Sequence, residues 1–356
     1  MLRDEIVRRF PRLTRLPPDS YVVGGAIRDL LLGIEPADVD VACHDPRACA
    51  ESISTRVIRL GTEEHLSAWR VVDGEHVYDF AEILDHDMDA DLRRRDFTVD
   101  AIAVCLGSSE LIDPHGGRAD LDRRLLRMIA EENFDDDPLR CLKAVRMAVK
   151  HRFEIDPATI AAIRPRAPRI SDVAAERVTF ELSIVFSSAA FRSAIELLHE
   201  TALDVPLFGR ELEARGFRAD DVTLAGAYAL LVANPKQYAK RWRWSVDLLR
   251  DVTALQALMQ SHDRVNLYAA GDRVACQLPA VLRALGREDR IDMPDFSTKA
   301  FLSGEEIGQL TGLSEGKDLG ALKRALLEAQ IRGDVKTTSD AAKFVTAADR
   351  RSSRPR

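Results

Sequence analysis

The sequence predicts an α+β protein: a mixed α/β head followed by an all-helical remainder, with the boundary near Asp135. Three observations carry this. Alternating or β-rich runs are confined to residues 20–110, helical spacing dominates from about 135 to 350, and the turn-forming DPHGG (113–117) separates the two regimes. At roughly 150 residues per domain, a chain of 356 residues has length for two or more domains with real cores. In order, YVVGGAI (21–27) reads as a strand broken by a glycine pair, and AIRDLLLG (26–33) as a helix closing at Gly33. ADVDVAC (37–43), AWRVVD (68–73) and HVYDFAEI (76–83) alternate as strands do, and FTVDAIAVCL (97–106) is a longer β-rich run. The helical part has no fixed-period repeat. IRPRAPRIS (163–171) and GREDRIDMPDF (286–296) read as its connections, and RRSSRPR (350–356) as a disordered tail.

Charge and cysteine usage narrow the function classes. A net charge of −7 argues against a uniformly basic nucleic-acid coat. Locally the balance reverses: residues 140–169 hold eight Lys or Arg against the two acids Glu154 and Asp156. That excess is either a solvated helix face or a track for phosphates, in which Lys150, Arg152, Arg164 and Arg166 would be contacts. No apolar run is long enough to cross a membrane and MLRDEIVRRF lacks the apolar core of a signal peptide, so a cytoplasmic protein with no membrane partner is expected. Cys43, Cys49, Cys105, Cys141 and Cys276 are odd in number and scattered, which disfavours disulfides and a structural zinc site.

The chemistry concentrates in the head. Asp38 and Asp40 are two apart on a strand, so both carboxylates project from one face. Paired carboxylates repel unless a cation lies between them, and oxygen ligands suit Mg²⁺, with Mn²⁺ as the alternative. Upstream, Gly24 and Gly25 end a strand and open a helix, where backbone can close on a phosphate, and Arg28 adds positive charge. The competing reading is a tight strand–helix turn that binds nothing. Asp79, in VYDF, is either a third carboxylate or a strand-edge acid. A phosphate cradle, metal carboxylates and an arginine within residues 24–40 describe nucleotidyl transfer.

Six ordered motifs carry a resemblance: GGAIRD (24–29) with ADVDVA (37–42), RRRDFTVDAIA (93–103), LIDPHGGRADLDRRLLR (111–127), DDPLRCLKAVRMA (136–148) and ERVTFEL (176–182). Over residues 20–186 they resemble, in order and spacing, the class II tRNA nucleotidyltransferase (CCA-adding enzyme) and bacterial poly(A) polymerase family, and residues 302–337 resemble the C-terminal segment of its CCA-adding members. The resemblance implies a nucleotidyltransferase head (1–134), a neck with a base-selecting helix (135–190), a body (191–300) and a tail (301–349). It implies that Asp38 and Asp40 bind metal and that Gly25 and Arg28 contact the triphosphate, within the Gly24–Gly25 turn. It further implies that Arg95 and Asp96 hold the triphosphate and the ribose 2′-OH. Asp137, Arg140, Lys143 and Arg146 fall on the helix that chooses the base. An Asp accepts from the amino group of cytosine or adenine while an Arg donates to the acceptor beside it, so the pair would reject uracil and guanine. Alternatively Asp137 caps the helix that starts at Pro138.

Four departures matter. Asp136 stands where Glu is usual, Lys143 where Arg is usual and Asp100 where Asn is usual. Only residues 80–93 separate Asp79 from Arg94, where complete CCA-adding members usually carry a longer loop. The expectation is an enzyme adding CMP to the tRNA 3′ end from CTP, with AMP from ATP as the open question and CC addition favoured. Its rivals are a poly(A) polymerase and an inactive RNA-binding protein. Beyond His151 the chain has only His199 and His262, with a single His262–Asp263 pair, so an HD phosphohydrolase domain is not expected. In KQYAKRWRWSVDLLR (236–250), Arg241 and Arg243 interleave with Trp242 and Trp244. Either they contact the tRNA arm, or the tryptophans are core residues and the charges their wet face.

Overall fold

A computed structural model describes residues 2–60, 68–83 and 87–352. The architecture is α+β. After helix α1 (Leu2–Arg9), the head alternates strands and helices: β1 (Tyr21–Val23), α2 (Gly25–Leu31), β2 (Asp38–Cys43), α3 (Pro46–Ile53), β3 (Ile58–Leu60), β4 (Ala68–Asp73) and β5 (His76–Glu82). There follow α4 (Met88–Arg93), β6 (Ala103–Cys105), β7 (Leu111–Ile112), α5 (Gly117–Arg123) and β8 (Leu125–Leu126). Among the described residues seven strands form one sheet in the order β3-β4-β5-β2-β1-β6-β7. β2 and β5 run parallel, and the other neighbours are antiparallel. β2 is thus the central strand. Its Val39 and Val41 are buried on one side, while Asp38 and Asp40 keep solvent access on the other, the period-two alternation expected of a half-buried strand.

The β-rich run at 97–106 forms a strand only over Ala103–Cys105. Thr98–Asp100 is a 3₁₀ turn, because Thr98 has competing partners: its Oγ1 donates to the buried Asp120 at 2.6 Å and its N–H to the carbonyl of Arg127. Gly117 permits this fold-back, since a Cβ there would lie 2.1 Å from the Thr98 carbonyl oxygen.

Helices then take over as α6 (Glu132–Asp136), α7 (Leu139–His151), α8 (Pro157–Ile163) and α9 (Ala175–Phe186), with β9 (Glu154–Ile155) paired to β8. α7 buries Leu142, Val145 and Val149 and turns Arg140, Lys143 and Arg146 the other way, the amphipathic pattern of a surface helix. IRPRAPRIS is a 3₁₀ stretch over Arg164–Asp172, not an open connection.

The chain divides into two compact units, residues 1–188 with 193–213, and 189–192 with 214–356. The first holds the segment expected as the head and that expected as the neck up to residue 188. α10 (Phe191–Glu200) and α11 (Asp204–Phe208) follow, then α12 (Leu224–Leu231), α13 (Pro235–Trp242) and α14 (Val246–Gln260) of the second unit. There Trp242 and Trp244 are buried against Tyr228 and Tyr238, with ring centroids 4.3 Å apart for Tyr228–Trp244. The tryptophans are therefore core, and neither ring face is offered to a base. Asp263 caps the next helix rather than joining His262 in a ligand set. Near the C-terminus, Ser303 and Glu306 form a capping box, and Leu302, Ile307, Leu326 and Val345 share a small core. The last helix runs to Ser352, so the first three residues of the expected disordered tail are helical; 353–356 lie outside the described residues. Among the described residues no helix is long and apolar enough to cross a membrane.

Candidate active site

β2 and the turn after β1 form the floor of a cleft of about 370 Å³ lined by Gly24, Gly25, Asp40, Asp91, Arg94, Arg95, Asp96, Asp100, Arg140 and Lys143, with Ala81 and Glu82 at the end of β5. The parallel register places Asp40 opposite Asp79. Asp79 has a counter-ion of its own: Arg70 from β4 takes both of its oxygens, at 2.7 and 2.6 Å. The third carboxylate read from VYDF is thus engaged by an arginine, and among the described residues no group of three acidic, His or Cys side chains gathers as a metal cage. Asp38 and Asp40 remain as the paired carboxylates. Asp40 lines the cleft and keeps solvent access. Desolvation by the surrounding protein, with the charges of Asp38, Asp79 and Asp100, pushes its pKa up to about 6 against the opposing pull of Arg95.

Gly24 has φ +75°, and a Cβ there would stand 2.8 Å from Arg95 Nη1 and 3.5 Å from Asp40 Oδ2. The backbone conformation therefore demands glycine here, and a side chain would also have to push the Arg95 guanidinium aside. Arg95 is steadied by Asp91, four residues earlier and 3.2 Å away. Arg28 is not on the cleft wall. It is 8% exposed, paired with Asp29 at 2.7 Å and with Asp100 at 2.5 Å, and its Nη1 also approaches Met147 Sδ. The expected triphosphate contact is here a strut beneath the cleft. Asp100 offers Arg28 a full counter-charge there, where an Asn would offer a neutral amide.

Across the cleft stands α7. Arg140 and Lys143 both reach Asp96, at 2.6 and 3.1 Å. Asp137 is not on the helix. It precedes α7 in extended conformation, with one carboxylate oxygen accepting the N–H of Leu139 and the other the Arg177 guanidinium at 2.7 Å. Burial alone would raise its pKa, but Arg177 and Lys143 hold it below the usual carboxylate value. Asp137 and Arg140 therefore do not act on a common partner in this structure, and one Asp137 oxygen accepts the N–H of Leu139, the first residue of α7. Arg146 turns away to the buried Glu181 of α9, at 2.6 Å. Burial raises the Glu181 pKa, and Arg146 and Lys143 oppose the rise.

The basic run of 140–169 is largely consumed at home. Arg166 pairs with Asp135 and Glu131, Arg169 with Asp135, and Arg164 donates to the Glu200 carbonyl. Lys150 and Arg152 are exposed. Arg241 lies 4.5 Å from the Trp242 ring centroid, and Arg243 is the exposed left-handed residue that ends α13. Sequence reasoning missed Asp91, Asn133, Arg70 and the roles of Arg177 and Glu181. Asp91 carried a signal in its i,i+4 spacing to Arg95, and Arg177 and Glu181 lie in the motif ERVTFEL; Asn133 and Arg70 meet their partners only through the tertiary fold.

The pattern described as the poly A polymerase head domain matches residues 20–127. That of a probable RNA and SrmB-binding site of polymerase A matches residues 152–214. The chain is 32% identical to the A-adding tRNA nucleotidyltransferase of Deinococcus radiodurans, over 95% of this chain and 97% of that protein. It is 41% identical to the CC-adding tRNA nucleotidyltransferase of Synechocystis sp., over 49% of this chain and 44% of that one. In fold it is similar to the Bacillus stearothermophilus CCA-adding enzyme in complex with CTP, with a TM-score of 0.80 at 24% identity and coverage of 99% and 98%.

Proposed function

The chain belongs to the class II tRNA nucleotidyltransferase and bacterial poly(A) polymerase family and is a tRNA nucleotidyltransferase, and from that premise we propose that it adds CMP from CTP to the 3′ end of tRNA. The observation that carries this reading is the convergence of Gly24, Asp40, Arg95, Asp96, Arg140 and Lys143 on one cleft. Arg95 faces Asp40 across the side-chain-free Gly24, the place for a triphosphate between its anchor and the paired carboxylates. Asp96 accepts the ribose 2′-OH. Arg140 and Asp137 read the base edge, after exchanging Asp96 and Arg177 for the nucleotide.

Asp38 and Asp40 would hold Mg²⁺, or Mn²⁺ in its place. Two one-faced carboxylates suffice, because such ions complete their shell with phosphate oxygens and water, and the crowding at Asp40 is of the sign a cation relieves. When bound, the metal supplies charge neutralisation at the reacting phosphate and a more acidic 3′-hydroxyl. The protein's own contribution is alignment: it seats the α-phosphate over β2 and keeps the pyrophosphate oxygens near Arg95.

Addition of C alone is supported by the connector at 80–93. From Met88 it is already the helix α4, with Met88 and Leu92 buried against the head, so little chain is left for a long loop. Residues 84–86 of that connector lie outside the described residues. Terminal A addition is the second reading, favoured by the likeness to the D. radiodurans A-adding enzyme. Incubating tRNA that lacks its 3′ CCA, and in parallel tRNA ending in CC, with CTP, ATP or both, resolved to single nucleotides, separates them. Extension of the first by two C residues that stops even with ATP present is expected. Completion to CCA, or A added only to the tRNA ending in CC, would replace the first reading by the second, and no extension of either tRNA would sink both.

A further inference from the structure

Asn133 lies on α6, is 6% exposed, and belongs to no motif. Its Nδ2 donates to two backbone carbonyls of the adjacent segment, those of Arg93 at 3.0 Å and Arg95 at 2.9 Å. Both partners are acceptors, so only the nitrogen side of the amide can face them, and both of its N–H groups are used. The backbone carbonyl of Asn133 in turn accepts Arg140 Nη1 at 3.0 Å. Arg140 closes a ring by pairing with Asp96, the residue after Arg95. Phe134, next to Asn133, is buried against Phe97 and fixes the two segments side by side.

One residue therefore meets both walls. Its side-chain amide grips the segment that carries Arg95 and Asp96, while its backbone carbonyl accepts Arg140 from the start of α7. We propose that Asn133 is a positioning residue that sets the triphosphate- and ribose-holding segment at a fixed distance from the base-reading arginine, so that nucleotide affinity and base choice are tuned together. The proposal rests on the reading of this cleft as the nucleotide site. Without the amide donors, two backbone carbonyls lose their protein partner and residues 93–96 are free to shift; a small displacement of anchoring groups is costly in a site that works by alignment.

The test uses the full chain with Asn133→Asp, which keeps shape but turns donors into acceptors, and Asn133→Ser, which keeps one donor. Calorimetric titration gives the Kd for CTP, single-turnover assays give the CTP-over-UTP preference, and tRNA affinity and thermal unfolding are measured alongside. For Asn133→Asp we expect about tenfold weaker CTP binding and about tenfold less discrimination against UTP. Asn133→Ser falls between it and the parent, while tRNA affinity changes less than twofold. Unchanged CTP affinity and preference in soluble, folded variants would overturn the proposal. So would weaker CTP binding with intact preference, or a parallel fall of every parameter with the folded fraction, which marks a merely structural role. Should Asn133→Asp not fold, Asn133→Ser decides alone. A parent protein that fails to bind CTP would instead remove the nucleotide reading of the cleft.

Discussion

The floor of the cleft and the helix that faces it solve opposite electrostatic problems. On β2 and beside it, Asp38, Asp40, Asp79 and Asp100 crowd together, and burial with like charge lifts Asp40 well above an ordinary carboxyl. On α7 the two cations that line the site, Arg140 and Lys143, share the acid Asp96, and Arg146, turned away from it, holds Glu181. The floor thus stores repulsion that a bound cation would release, whereas the helix stores attraction that an incoming nucleotide must replace. Residues of one kind are costly to the resting protein and those of the other stabilise it. Function and stability should therefore separate cleanly under mutation.

Asp40→Asn carries the largest expected effect. Incorporation of CMP should fall by about a thousandfold, since a metal anchor is worth several kcal/mol in the transition state. The variant should melt no lower than the parent, because it removes a crowded charge. A large drop in Tm would contradict the account of the floor. Asp38→Asn should behave alike.

Arg146→Ala comes next and strikes stability instead. Leaving Glu181 buried without its partner should cost about 3 kcal/mol in denaturant unfolding. Arg146→Met combined with Glu181→Leu should recover most of it. If Arg146→Ala keeps its stability but loses CTP affinity, Arg146 belongs to the nucleotide, as the family motif implies, and not to α9.

Arg140→Ala should lower the preference for CTP over UTP by about 10- to 50-fold, within the usual range for losing a base-reading arginine. The mildest change is Arg177→Ala. Asp137 keeps its bond to the Leu139 N–H but loses the guanidinium that orients its second oxygen, so preference should drop about fivefold with little change in Tm. Equal effects of Arg140→Ala and Arg177→Ala would show that Asp137, not Arg140, dominates base choice.

Much of this was legible in the residues. The alternation of DVDVAC announced a strand with two one-faced acids, and it is the central strand. The helical spacing of LRCLKAVRMAVKH announced α7. What failed to show was partner choice. Asp79, Arg28 and Arg166 each carry the right charge for the roles their motifs suggest, yet Arg70, Asp100 and Asp135 reach them across 9, 72 and 31 residues of sequence. Local periodicity is blind to such pairs, because the sheet register and the docking of α8 and α9 create them. FTVDAIAVCL failed for a related reason: its β-branched residues favour a strand, but the bond from Thr98 to Asp120 bends the first half into a turn. Asn133 was invisible because an isolated Asn is an unremarkable turn residue until its two carbonyl partners are seen.

The double hold of Arg140 and Lys143 on Asp96 acts as a tethered competitor. Every nucleotide that uses these groups must first displace the same carboxylate, which scales down all affinities by a common factor and leaves their ratios untouched. When the nucleotide leaves, Arg140 and Lys143 would fall back on Asp96, and the cleft would refill itself with its own anion.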